Sequence, residues 1–138
     1  IGVDVIVGFP GETEDDFMET CQFLEDLDAS FYHVFSYSER PNTKSASFDN
    51  KVPKSTISAR SKRLQKLANK KQQDFYQRNL GKSAHVLFES YQKNNLMYGF
   101  TENYIKVETK YDKSLVGEIT KVTLDSISQS GNVNVKMR

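Results

Sequence analysis

The stretch VDVIVGFPGET, Val3 to Thr13, decides how the rest of the chain is read. Val3, Val5, Ile6 and Val7 form a short apolar run that stops at Gly8-Phe9-Pro10-Gly11, the pattern of a buried strand closed by a turn. Thr13 and Asp16 have the spacing of a capping box, with aspartate in place of the usual glutamate, and so open a helix. Strand, glycine turn and helix in that order build ligand sites at the carboxyl ends of strands in α/β proteins. A site so near residue 1 predicts that the sequence is a piece of something larger.

Working outward, Glu14 to Asp28 places Phe17, Cys21, Leu24 and Leu27 on one helical face, with acids on the other face and in the first turn, where the helix dipole favours them. Cys21 on that face reads as a small core residue. Phe31 to Tyr37, FYHVFSY, is aromatic and β-branched and predicts a second strand, parallel to the first after a right-handed crossover. His33, in its middle, reads as a sheet or core histidine before it reads as a base. The polar run Ser38 to Pro53 is a loop, long enough to be functional or mobile.

Ser55 to Leu80 predicts a long helix with a thin apolar stripe of Ile57, Leu64, Leu67, Ala68 and Phe75, ended by Gly81. The net charge of +1 conceals a strong asymmetry. Up to Asn50, eleven acids face only Arg40 and Lys44; from Lys51 to Lys82, ten bases face only Asp74. Such segregation points to a polyanion or to a neighbouring acidic surface. The helix is then a solvated connector, or it lies along RNA or against the acidic first segment.

Beyond Lys82 the period becomes two: Ala84, Val86 and Phe88 alternate with His85, Leu87 and Glu89. Asn94-Asn95 marks a turn, and Leu96–Thr101, Tyr104–Thr109, Val116–Leu124 and Val133–Met137 complete five short strands. The fold class is an α/β piece, a basic connecting helix and a small antiparallel β-barrel of the oligonucleotide-binding kind, divided at 1–53, 54–80 and 81–138. Phe100 and Tyr104 with Lys106 and Lys121 supply the aromatic platform and bases that such barrels use on single strands, unless the rings are core or rim. Lys82 and Asn103 join them as candidate RNA contacts.

Much is excluded. With 37% hydrophobic residues and a mean hydropathy of −0.62, no apolar run approaches the ~20 residues of a membrane span. A signal-peptide pattern is absent, and one cysteine permits neither a disulfide framework nor a cysteine-rich metal site, which favours a cytoplasmic origin. Gly8-x-x-Gly11 is neither a P-loop nor a dinucleotide fingerprint, and His33 and His85 complete no nucleophile–base set. No residue is assigned as catalytic or as a metal ligand.

Three motifs carry a resemblance. VDVIVGFPGETEDDF (Val3–Phe17) resembles the late strand and turn of the radical S-adenosylmethionine barrel in the methylthiotransferase family. HVFSYSERPNTKSA (His33–Ala46) is similar to the next strand and loop, above all in the branch acting on N6-threonylcarbamoyladenosine in tRNA; Asn42 stands where that branch usually has glycine. Gly81 to the end, with GFTENYIKV (Gly99–Val107), resembles the RNA-binding TRAM domain that closes these enzymes.

The resemblance implies a parent enzyme that adds a methylthio group at C2 of the modified adenosine beside the anticodon, using S-adenosylmethionine and two 4Fe–4S clusters. Cys21 matches no cluster ligand, so the chain alone is expected to bind no cluster and to be inactive. By motif, Ile6, Gly8, Gly11, Glu12, Val34 and Tyr37 would border the cofactor, and the barrel would dock the tRNA anticodon stem-loop. Strands without their barrel neighbours are expected to self-associate. The alternatives are the sister branch that modifies a ribosomal protein and a stand-alone RNA-binding module; Arg40-Pro41 and the basic helix favour tRNA.

Overall fold

The opening apolar run folds as β1 (Gly2–Val7), followed by α1 (Glu14–Asp26) and β2 (Phe31–Ser36). The structure, a computed structural model, describes residues 1–138 and divides into two units, Ile1–Gln72 and Gln73–Arg138. A long helix, α2 (Lys54–Asn79), contributes to both.

In the first unit β1 and β2 pair in parallel, from Gly2 opposite Phe31 to Val7 opposite Ser36. The capping box is complete: the Thr13 hydroxyl accepts from the Asp16 N–H at 3.1 Å, and the Asp16 carboxylate accepts from the Thr13 N–H at 3.0 Å. The Thr13 backbone N–H, and after it the Thr13 side chain, hold the Asp16 carboxyl below its ordinary pKa. Phe17, Cys21 and Leu24 of α1 are buried with Val7, Ala29, Tyr32 and, from α2, Leu64 and Ala68. The Tyr32 hydroxyl donates to the Leu24 carbonyl at 2.6 Å, tying the end of α1 to β2. Val3, Val5 and Val34 pack onto this core, so Asp4, Ile6, His33 and Phe35 occupy the opposite, exposed sheet face. Period two permits nothing else.

α2 stops where the sequence says it should. Gly81 has φ +84°, and its N–H donates to the Leu124 carbonyl at 2.7 Å. The buried positions of the helix are Arg60, Leu64, Ala68 and Tyr76; Phe75 of the expected stripe is only half-buried.

In the second unit β3 (Ser83–Lys93), β4 (Leu96–Thr101), β5 (Lys106–Lys110), β6 (Ile119–Ile127) and β7 (Val133–Met137) close a barrel in the order β3-β4-β5-β7-β6. Four pairings are antiparallel and β5–β7 is parallel. The barrel is therefore mixed, not antiparallel throughout as the alternating pattern suggested. The reason is parity: directions cannot alternate around a closed ring of five, so at least one pair must run parallel. Val86, Phe88, Met97, Ile105, Val107, Val122, Leu124 and Val133 fill the interior, and the buried Tyr76 accepts the Lys106 N–H on its hydroxyl at 3.2 Å.

Two strand limits differ from the reading of the sequence. Tyr104 belongs to the turn before β5, with φ +67°, because Thr101 closes that turn by donating its N–H to the Ile105 carbonyl and accepting the Ile105 N–H on its hydroxyl. Val116 precedes β6, since a 3-10 turn at Lys113–Leu115 capped by Asp112, and Gly117 at φ +73°, delay the strand. Asn94 and Asn95, both at positive φ, make the β3–β4 turn as expected.

Gly8 combines φ +81° with a helix at van der Waals contact: a Cβ there would lie 2.3 Å from Cγ1 of Ile57. Gly8→Ala is expected to lower stability by roughly 2 kcal/mol or more, from strain and overpacking together. In an Ile57→Ala background the overlap is relieved and only the dihedral cost stays, so the loss on urea unfolding should shrink. Equal losses in the two backgrounds would refute this packing.

Candidate functional site

The turn after β1 is held by one carboxylate. Glu12 Oε1 accepts the Gly8 N–H at 3.1 Å and Nη1 of Arg60 at 2.7 Å. Nη1 also reaches the Glu12 carbonyl at 3.2 Å, and Nη2 reaches Glu14 Oε2 at 3.2 Å. Arg60 is 7% exposed and lies over the Phe17 ring, 5.3 Å from its centroid. The rest of the turn closes on the loop after β2. Gly11 N–H donates to the Asn50 carbonyl at 2.6 Å, and Tyr37 N–H to the Val7 carbonyl at 2.8 Å. The Phe9 ring meets Tyr37 and Phe48 edge-on, and the Tyr37 hydroxyl bonds Ser45 Oγ at 3.0 Å. Asn42 in that loop has φ +66°, a region asparagine enters more readily than most residues, so the usual glycine's conformation is available to it.

Gly8, Gly11, Glu12 and Tyr37 thus come together around one turn. Ile6 lies on the open sheet face, beside Phe35 in register, at 56% and 51% exposure. Val34 does not share that surface. It sits opposite Val5 and packs into the core, because adjacent strand residues point to opposite faces. His33 and Phe35 occupy the face that Val34 was expected to line.

A nucleoside cofactor would find an apolar platform in Ile6 and Phe35, and an open backbone at Gly11, where a Cβ would meet nothing within 4 Å. Gly8 offers no such approach, since Ile57 fills the space in front of it, and Glu12 Oε1 is committed to Arg60. An iron–sulfur cluster does not fit. Cys21 is a single buried thiol whose pKa burial pushes up, and no three metal-ligating side chains gather anywhere.

Arg60 was missed in the sequence, yet a signal existed. It interrupts the stripe Ile57, Leu64, Ala68 at a helical step, and a base on an apolar face calls for an acid opposite. Lys71 meets the other end of α1 differently, donating to the backbone carbonyls of Glu25 and Leu27 at 2.7 and 3.0 Å. Of the three roles open to the basic helix, these residues take the one against the acidic segment. Lys62, Lys66 and Lys70 stay exposed.

On the barrel, the outward pairs of β4 and β5 are Leu96–Lys110, Tyr98–Glu108 and Phe100–Lys106. Asn103 and Tyr104 form the turn joining these strands, with Tyr104 exposed. Phe100, Asn103, Tyr104 and Lys106 are therefore neighbours. Lys121 is two strands away, opposite His85 on β3, and Lys82 precedes β3 with Nζ 3.5 Å from Asn79 Oδ1. Sequence reading overlooked Tyr91 and Tyr98, whose rings stack at 6.2 Å, and the exposed cross-strand pair Leu87–Ile119. Glu108 is buried; Ser130 Oγ and Asn132 Nδ2 donate to its Oε2 at 2.8 and 3.0 Å. Burial pushes its carboxyl up, but bonds from Asn132, Ser128 and Ser130 and the Lys106 charge outweigh this and hold it below the ordinary value.

Arg60→Met keeps most of the packing but leaves Glu12 half-buried and unpaired. Stability should fall by about 3 kcal/mol or more, and combining it with Glu12→Gln should cost less than the two single losses added. Additive losses in chemical denaturation would show that the two residues do not act as a pair.

No protein-family model matches the chain. It is 41% identical over 124 residues, 90% of its length, to a threonylcarbamoyladenosine tRNA methylthiotransferase of Aquifex aeolicus, covering 29% of that protein. It is 34% identical over 136 residues, 99% of its length, to the protein of that name in Thermotoga maritima, covering 31% of it. A tRNA-2-methylthio-N6-dimethylallyladenosine synthase of Francisella tularensis is 36% identical over 126 residues, with 90% of the chain and 28% of that protein aligned. Along about nine-tenths of its length the chain is a homologue of the tRNA methylthiotransferases, spanning some three-tenths of theirs.

Proposed function

We propose that the chain is the C-terminal part of a tRNA methylthiotransferase that modifies C2 of N6-threonylcarbamoyladenosine next to the anticodon. The observation that carries this reading is the continuous match, over 136 residues, to a relative bearing the threonylcarbamoyladenosine name. The HVFSYSERPNT stretch (His33–Thr43) supports that branch over the dimethylallyl one, which also appears among the relatives. In the parent, S-adenosylmethionine and iron–sulfur clusters supply the radical and sulfur chemistry when bound. This chain's share is one wall, with Ile6, Phe35, Gly11 and Tyr37 beside the cofactor and Glu12 and Arg60 fixing the turn.

The barrel, as a TRAM-type module, docks the anticodon stem-loop. Its closed five-stranded form and the cluster Phe100, Asn103, Tyr104 and Lys106 support this. An anticodon stem-loop titrated into the full chain should bind with an affinity that falls steeply with salt, as phosphate contacts require. Lys106→Glu with Lys121→Glu should weaken binding and flatten the slope; unchanged binding would remove those lysines from the interface. Binding of a ribosomal protein in place of RNA would favour the sister branch.

The exposed Ile6–Phe35 face sits on a two-stranded sheet in which each strand has an unpaired edge, and this supports self-association of the chain. Sedimentation should show dimers or larger species as concentration rises, and a clean monomer at high concentration would count against it.

A further inference from the structure

Tyr91 is 61% exposed and lies in the irregular stretch of β3 between Phe88 and Gln92; its ring stacks on Tyr98 at a centroid distance of 6.2 Å and an interplanar angle of 28°. Tyr98 is itself engaged by Lys106, whose Nζ stands 5.2 Å from its centroid. The three side chains form a chain of contacts, Lys106 to Tyr98 to Tyr91, whose last member is open to solvent. A ring held in place by another ring binds a third planar group with little further loss of freedom.

The charge around this row favours a phosphate chain. At the outward pairs of β4 and β5 the cations are Lys106 and Lys110, and Lys93 stands opposite Leu96 on β3. The single acid among those pairs, Glu108, is buried and taken up by Ser130 and Asn132. Against these three lysines stands one exposed acid, Glu89, in the same irregular stretch of β3 as Tyr91, so the row stays net positive. Aromatic rings interleaved with lysines on a barrel face take unpaired nucleotides, by stacking on the bases and tracking of the phosphates.

We propose that Tyr91, supported by Tyr98 and flanked by Lys93, Lys106 and Lys110, is a stacking site for an unpaired base of single-stranded RNA. The proposal rests on the barrel's docking of RNA and adds to it the subsite and the preference for unpaired nucleotides. It places the base contact on the β3–β4 hairpin, beyond the residues that sequence reading had selected.

A short single-stranded RNA carrying 2-aminopurine, titrated into the full chain, reports affinity through anisotropy and stacking through quenching of the base analogue. Quenching is expected with the wild-type chain. Tyr91→Ala should lose it and weaken binding roughly 5- to 150-fold, the range for one stacked base, without changing the salt slope. Tyr91→Phe should retain both, because the ring and not the hydroxyl makes the contact. Normal binding and quenching by Tyr91→Ala, or tighter binding of the corresponding duplex, would overturn the subsite and leave RNA docking in place. If the wild-type chain binds no RNA even at low salt, both fall together.

Discussion

The first unit depends on a buried guanidinium. The tight course of Val7 to Glu12 leaves the Gly8 N–H without a strand partner, and Glu12 supplies the acceptor. A carboxylate at 13% side-chain exposure is poorly solvated and would be costly alone. Arg60 makes it tolerable by bridging Glu12, its own carbonyl and Glu14 with two nitrogens. Lysine has no such fork, and would not lie flat over Phe17. The arrangement has a cost, since the Arg60 Nε is buried without a hydrogen bond. The pair therefore specifies where α2 sits on the turn more surely than it adds to net stability.

The second unit depends on parity. Five strands can close only with at least one like-directed pair, and this chain places its one between β5 and β7. That seam has only two paired positions, Val107–Val133 and Glu108–Asn134, far fewer than its neighbours. It needs reinforcement. Glu108 provides it by gathering the β6–β7 loop through Ser130 and Asn132, while Gln73 donates to the Gly131 carbonyl of the same loop at 3.0 Å. Because the Glu108 carboxyl is held below its ordinary pKa, this contribution is fully present at neutral pH. It is lost only as pH falls through the lowered value.

What the sequence made legible was local, and what it hid was long-range. The Thr13–Asp16 cap and the Asn94-Asn95 turn depend on residues within four positions, the Gly81 stop on the positive φ of one glycine, and each was readable. The in-and-out alternation of Ala84, Val86 and Phe88 was readable for the same reason. Arg60 with Glu12, 48 residues apart, was not, because a charge on a helix names no partner until packing supplies one. Tyr91 with Tyr98 depended on the irregularity between Phe88 and Gln92, which resets the register that alternation would assign. Val34 was misplaced for a different reason. Motif matching groups neighbours in sequence, whereas a sheet separates them.

A common device emerges from these separate cases. In each unit one acid beside the candidate surface is held by the protein itself: Glu12 by Arg60 and the Gly8 N–H, Glu108 by Ser130 and Asn132. The Arg60 guanidinium neutralises Glu12, whereas Glu108, held by neutral donors, keeps its charge and is offset by the Lys106 beside it. Once bound internally, each serves as a strut, and the surface beside it is left to apolar rings and, on the barrel, to lysines. Charge counted along the sequence therefore misleads in both units. The acidic first segment presents less free acid at its turn than its composition implies, and the near-neutral barrel sets Lys93, Lys106 and Lys110 together at the outward pairs of β3, β4 and β5.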